Sequence, residues 1–273
     1  MGYQTIENVN KTLERALRII EIIAQNKHPM KLQDISKQSG IPESTVLRIL
    51  QTLIVNRYAF QDEDTNAYYL TMKLSYIGNL ISSSIDIREI AKPFLRKLSE
   101  QCRESASLVI EQDMQAVYID FVDGPDSLLK TLKLIGRTAP LHCTAVGKCI
   151  LTNYSAEKLD KYISIKGLIK TTKNSIDNKK NLILEINKIK KQGYAIDNEE
   201  CEIGVRCIAA PIIDYMGTVI ASISITGPST RLTLDRINRL KNYVKETAKN
   251  ISSRLSGDMT KNKVINLHYY NKS

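Results

Sequence analysis

Within the first 75 positions the apolar residues change period once, and that change limits the fold more than any other feature of the sequence. Up to Asn56 they recur at steps of three and four, the spacing of helices buried along one face. Val9, Leu13, Ala16, Leu17, Ile20, Ile23 and Ala24 mark a first helix. His28-Pro29 ends it, because proline cannot continue a helix and biases the residue before it away from αR. Leu32 and Ile35, with Ser36 alongside, mark a short second helix over about 32–39, and Gly40 supplies the turn. Pro42 suits the first position of a third helix with an inner stripe of Val46, Ile49, Leu50 and Leu53. Beyond Asn56 two aromatic-rich runs, Tyr58 to Gln61 and Ala67 to Leu70, flank Asp62-Glu63-Asp64-Thr65-Asn66, which is a hairpin signal. Helix, helix, turn, helix, hairpin is the order of a winged helix-turn-helix, expected over residues 1–71.

In such a fold the third helix enters the major groove of double-stranded DNA and its outer residues meet base edges. Those residues are Ser44, Thr45, Leu47, Arg48, Gln51 and Thr52, with Glu43 at the helix start. Arg48 has the fork that pairs with guanine O6 and N7, and Gln51 the amide that pairs with adenine N6 and N7. Ser44 and Thr45 suit phosphate contacts at the helix start, and Thr65 and Asn66 suit the adjacent backbone from the wing. Glu43 and the acidic run 62–64 oppose close phosphate approach at their own positions.

Residues 72–85 read as a helical linker, and 86–256 as one α/β domain with a mostly antiparallel sheet. Ile90, Phe94, Leu95 and Leu98 form the inner face of a helix ending near Cys102. Strands are expected at 107–111 and 115–122 around a turn at Gln112-Asp113, and at 208–213 and 219–225 around Tyr215-Met216-Gly217. Helices are expected at about 145–153, 155–163, 178–192 and 233–255, and residues 257–273 as a disordered basic tail. The overall class is α+β.

Composition narrows the function classes. Among 273 residues no apolar run approaches the ~18 that span a membrane. No early apolar segment resembles a signal peptide, and five cysteines without one suggest reduced thiols in a cytoplasmic protein. The formal net charge of +10 invites a polyanion reading, but it is not concentrated in the DNA-reading segment. Residues 1–75 hold nine basic side chains against eight acidic ones, whereas 231–273 hold ten against three. The order of motifs, not the global charge, therefore carries the DNA reading.

The most particular stretch is Gly193-Tyr194-Ala195-Ile196-Asp197-Asn198-Glu199-Glu200, continuing as Gly204-Val205-Arg206-Cys207-Ile208-Ala209-Ala210-Pro211-Ile212. It closely resembles the signature of the IclR family of bacterial transcriptional regulators. Glu14-Arg15-Ala16-Leu17 is similar to that family's first helix, and residues 44–53 to its recognition helix. Pro140-Leu141-His142-Cys143-Thr144-Ala145-Val146-Gly147-Lys148 is similar to the junction opening its ligand pocket, and Ser222 to Pro228 to a strand lining it. One departure is Thr71, where the family often has glycine after the wing.

The resemblance implies a GAF-like effector-binding domain behind the linker, homodimers formed through the DNA-binding end, and pairing of dimers into tetramers. It implies a small-molecule effector, commonly an organic acid, that modulates DNA binding, with repression of a catabolic operon as the default. Positions matching Ala145, Val146, Asp197, Cys207, Ser224 and Thr226 contact the ligand in members that bind small carboxylates. Ser224 and Thr226 stand two apart on a strand, so their hydroxyls share a side. The small residues 145–147 leave N–H groups accessible at a helix start, and Asp197 would accept from a hydroxyl or water, its charge repelling a carboxylate. A plainer reading makes Ser224 and Thr226 polar residues of a half-buried strand. It makes Asp197 and Glu200 braces of the signature loop with Arg206 as ion-pair partner, and Gly193 and Gly204 turn residues.

Enzyme and metal readings find little support. His142 and Cys143 are adjacent, so on a strand they point to opposite faces and pair only on irregular backbone. Cys143-x5-Cys149 and Cys201-x5-Cys207 lack the two-residue spacing of zinc sites, and no Walker or Gly-x-Gly-x-x-Gly motif occurs. No cofactor is expected. The competing function is a metabolite sensor or enzyme that uses the α/β domain without reading DNA.

Overall fold

The computed structural model describes residues 10–26, 28–84, 86–125 and 135–256, with the side chains of 81–84 outside the description. The expected basic tail lies outside the described residues. The chain divides between residues 85 and 86 into two units.

In the first unit, α1 (Lys11–Gln25) starts at Asn10, whose side chain accepts from the N–H groups of Thr12 and Leu13. α2 (Leu32–Ser39) ends at Gly40, whose φ of +66° is the left-handed cap that glycine adopts without strain. α3 (Glu43–Val55) starts one residue later than expected, with Pro42 as its N-cap. Ile19, Ile23, Ile35, Val46, Ile49, Leu50 and Leu53 form one core. The stripe on α3 is the expected one, and on α1 the expected Ala16, Ile20 and Ile23 meet the core whereas the expected Leu13 and Leu17 do not. Leu13 and Leu17 are 59% and 52% exposed, and the core takes Ile19 with Ile23, four apart on a neighbouring face. β1 (Ala59–Gln61) and β2 (Tyr68–Leu70) pair antiparallel as the wing, and a bridge from Met30 to Tyr68 ties it to the segment between α1 and α2. The departure Thr71 has a structural role: its hydroxyl donates to Arg57 O at 2.6 Å and accepts from Lys73 N–H, at the start of α4 (Lys73–Ser84).

The second unit is a six-stranded sheet between two helical layers. Its strands are β3 (Ser105–Gln112), β4 (Gln115–Val122), β5 (Thr138–Ala139), β6 (Ala195–Asn198), β7 (Val205–Ile213) and β8 (Val219–Pro228). They lie in the order β5-β4-β3-β8-β7-β6, and every pairing is antiparallel. The β3–β4 turn sits at Asp113-Met114, one residue beyond its expected place, with both φ angles positive as a two-residue hairpin demands. One face, with Leu108, Ile208, Ile223 and Ile225, packs against α5 (Ile87–Cys102) and α9 (Leu234–Leu255). The other, with Val109 and Ala209, packs under α6 (Ala145–Leu151), α7 (Ala156–Lys166) and α8 (Lys179–Gln192).

Gly147 shows how tightly α6 meets the loop before it. A Cβ there would lie 2.4 Å from Leu141 Cα and 2.5 Å from Leu141 O, backbone atoms that cannot swing aside. Gly147→Ala is expected to destabilise the second unit by about 1–2 kcal/mol through overpacking, read as a lower urea midpoint. An unchanged midpoint would mean that the loop gives way freely.

Candidate nucleic-acid interface and effector cluster

α3 buries Val46, Ile49, Leu50 and Leu53, which leaves Ser44, Arg48, Gln51 and Thr52 exposed and Thr45 and Leu47 half-buried. Arg48 and Gln51 sit one turn apart, and no hydrogen bond among the described residues holds either side chain. Thr52 differs. Its hydroxyl donates to Arg48 O at 2.9 Å, so toward a base it presents lone pairs and a methyl group. At the wing, Thr65 is committed as well: its N–H and hydroxyl both donate to Asp62 Oδ1, at 2.8 and 2.6 Å. These bonds hold the Asp62 carboxyl below its usual range. Asp62 thus builds the turn, and Asn66 closes it with a φ of +54°.

In the second unit the strand register brings distant residues into line. Asp197 on β6 stands opposite Cys207 on β7, Cys207 opposite Thr226 on β8, and Thr226 opposite Ser105 on β3. In the next row Ala209 faces Ser224, which faces Ser107. Thr226 Oγ1 donates to Cys207 Sγ at 3.1 Å, and the Ser107 and Ser224 hydroxyls are 2.8 Å apart. α6 packs on β6, β7 and β8 and contributes buried Ala145 and Val146. All six expected effector residues therefore belong to one layer of this unit. Ser107 and Tyr118 join them unforeseen. Burial, together with Cys207, Cys201 and Asp197, pushes the Tyr118 phenol well above its ordinary range.

Asp197 is 2% exposed, and its Oδ1 accepts from the N–H groups of Glu200 at 2.7 Å and Cys201 at 3.3 Å. It braces the signature loop, as the plainer reading had it. Burial pushes its carboxyl up to about 7, ahead of the opposing hydrogen bonds and the repulsion from Glu200. The Cys207 thiol is pushed up by burial and by Asp197.

Lys148 is the residue that sequence reasoning passed over. It is 0% exposed, with Nζ donating to Glu200 Oε1 and Ile196 O, both at 2.6 Å, and to Glu185 Oε1 at 3.4 Å. One lysine within the otherwise apolar run of α6 was the available signal. Arg206 is not the partner of Asp197 or Glu200; it binds Glu199 at 2.9 Å and Asn198 Oδ1 at 2.7 Å, because residues 197 and 199 leave the loop in different directions. The start of α6 is less open than expected, since Thr144 Oγ1 already accepts from Gly147 N–H and Thr144 O from Lys148 N–H. Gly193 and Gly204 are turn residues with φ of +77° and +84°.

His142 and Cys143 form no dyad. The imidazole lies between Tyr162 Oη at 2.9 Å and Ile169 O at 3.0 Å, and no hydrogen bond joins it to the Cys143 thiol among the described residues. Burial holds the imidazole below its ordinary pKa. Cys149 is fully buried in the apolar core beneath α6. Among the described residues no group of His, Cys, Asp or Glu has the arrangement of a metal site, and no helix is long and apolar enough to cross a membrane.

Comparison with known proteins agrees with this architecture. Residues 12–63 match the IclR helix-turn-helix domain, and residues 80–253 match the bacterial transcriptional regulator IclR C-terminal domain. The chain is 32% identical over 222 residues to the HTH-type transcriptional regulator XynR of Escherichia coli K12, covering 81% of this chain and 88% of that protein. It is 30% identical over 245 residues to the transcriptional repressor AllR of the same strain, covering 90% of each. The crystal structure of Thermotoga maritima IclR superposes with a TM-score of 0.59 at 31% identity, covering 89% of this chain and 98% of that one. These relatives regulate transcription and are not enzymes, so the enzyme reading gives way. The chain belongs to the IclR family of transcriptional regulators, with an N-terminal DNA-binding helix-turn-helix unit and a C-terminal α/β unit.

Proposed function

We propose that this regulator is a cytoplasmic repressor that a small oxygen-rich organic acid releases from its operator. The observation that carries the effector reading is the convergence of Asp197, Cys207, Ser224 and Thr226 on one face of the sheet under Ala145 and Val146. A set of hydroxyls, a thiol and a carboxyl suits a ligand rich in oxygen, and the buried lysine is already occupied by Glu200. Repression is supported by the name of AllR, a repressor similar along nine-tenths of this chain. Ser44, Thr45, Leu47, Arg48, Gln51 and Thr52 read the major groove, and Thr65 and Asn66 approach the backbone, with the Asn66 side-chain N–H groups as the donors to phosphate. The exposed Leu13 and Leu17 of α1 suit a homodimer formed through the DNA-binding unit, with tetramers as a further pairing.

The elevated pKa of Asp197 changes the ligand chemistry that its charge alone would suggest. At about 7, roughly half of the carboxyls are protonated at neutral pH, and the protonated form donates to a ligand carboxylate instead of repelling it. The groups around it are Glu200, Lys148, Tyr118 and the thiols of Cys201 and Cys207. Affinity for a carboxylate is therefore expected to fall as pH rises through about 7, by up to tenfold per unit. Calorimetry with small keto and hydroxy acids at pH 6 and 8 measures it. A bound acid whose affinity is unmoved by pH, and by Ser224→Ala with Thr226→Ala, would place the effector elsewhere.

A further inference from the structure

None of the described side chains of α4 is buried, and none joins the core of the first unit. The helix is attached by polar contacts instead, and those at its start reach the residues that follow α3. Thr71 N–H donates to Tyr58 O at 2.9 Å, and the Thr71 hydroxyl donates to Arg57 O at 2.6 Å. Lys73 Nζ donates to Asn56 O at 2.8 Å and lies 4.3 Å from the centre of the Tyr58 ring. Asn56, Arg57 and Tyr58, three successive residues after α3, are thus each held through their carbonyls. Arg57 has a φ of +61°, a left-handed backbone that side chains other than glycine rarely adopt, and the Thr71 bond steadies it. α3 has no basic residue in its own last turn, so Lys73 supplies the cation that its negative end favours.

We propose that Thr71 and Lys73 are positioning residues for DNA reading: a polar clamp that fixes the angle between α4 and α3. This role rests on α3 being the helix that enters the major groove. Apolar packing does not set the angle, because α4 gives no described side chain to the core. Strand pairing does not set it either, since the register of the wing ends at Leu70 and α4 begins at Lys73. The Lys73 ammonium is engaged by Asn56 O and the Tyr58 ring, so it acts on the helix end and not on phosphate. With the clamp closed, α3 and the first turn of α4 move as one body. With it open, α3 keeps its core contacts through Val46, Ile49, Leu50 and Leu53, but its C-terminal end is no longer tied to α4. Base reading by a dimer needs one fixed helix angle at both half-sites, whereas attraction to phosphate tolerates a range of angles.

The test uses the full-length chain and a duplex that this chain selects from a random library, with an unselected duplex of equal length as reference. In fluorescence anisotropy, Thr71→Val and Lys73→Met are expected to bind the selected duplex about tenfold more weakly, with binding and salt slope on the reference unchanged. Lys73→Arg, which keeps the charge and the donor, is expected to bind like the wild type. Amide exchange over residues 71–77 should speed by about fivefold in Thr71→Val, while exchange over 46–53 holds. Arg48→Ala separates the clamp from the reading it rests on. If Arg48→Ala weakens selected binding and the clamp variants do not, the clamp alone is refuted; if Arg48→Ala leaves it intact, the clamp falls together with that reading. Lys73→Met weakening both duplexes alike, with the salt slope lowered by about one unit, would make the lysine a phosphate contact and overturn the proposal. Thermal melting reports folding, and should one clamp variant not fold, the other decides. Both failing to fold, or melting lower with selectivity unchanged, would make the cluster a brace of the fold and overturn the proposal as well.

Discussion

Lys148→Met should lower the stability of the C-terminal unit by about 3–5 kcal/mol, the cost of leaving a buried carboxylate without its cation. The lysine is fully buried and supplies donors to Glu200 Oε1 and Ile196 O, both at 2.6 Å. Glu200 Oε2 is itself buried without a hydrogen-bond partner among the described residues, so the lysine is the main compensation for the charge. Burial already raises the Glu200 pKa, and Lys148 is the first group opposing that rise. Without the lysine the native carboxyl titrates still higher, while the unfolded one stays near 4.5. The native variant then binds more protons across that window, and its stability falls as pH rises through it. Urea unfolding at pH 5 and 8 should show the larger deficit at pH 8, and adding Glu200→Gln should recover part of it. A loss under about 1 kcal/mol at both values would mean that the pair is solvated.

Much of the fold was legible because its signals are local. The stripe Val46, Ile49, Leu50 and Leu53 and the polar tip between two aromatic runs each declare themselves within a dozen residues. The misses share the opposite property. Leu13 and Leu17 have the period of a buried face, but the face taken by Ile19 and Ile23 is decided by α2 and α3. Strand β6 was hidden in the signature loop because its four residues gain strand character only by pairing with β7. The site divides in the same way. Motif resemblance pointed to Asp197, Cys207, Ser224 and Thr226, and the register brings three of them into one row with the fourth beside it. Lys148 meets Glu200 across 52 positions, with no spacing rule to connect them. Nor does sequence give the pKa of Asp197, which depends mainly on how deeply the finished fold buries it.

Arg48→Ala is the substitution that should most affect DNA binding. On α3 its guanidinium is exposed, and no hydrogen bond among the described residues diverts it, whereas Thr52 and Thr65 have spent their hydroxyl protons on the protein itself. A bidentate arginine–guanine pair contributes about 1–3 kcal/mol of discrimination, and a dimer on two half-sites loses it twice, so roughly 2–6 kcal/mol is at stake. Fluorescence anisotropy on a fragment upstream of the regulated gene should show a loss of about 30-fold or more. The loss should be confined to specific binding. The first 75 residues are nearly balanced, nine basic against eight acidic, so nonspecific phosphate attraction per subunit is weak. Removing one base-reading arginine should leave the salt slope on unrelated DNA almost unchanged, whereas a phosphate-contacting residue would lower it by about one unit. If the variant instead loses affinity equally on operator and random DNA, Arg48 binds backbone, and Gln51 becomes the residue on which base recognition by this helix rests.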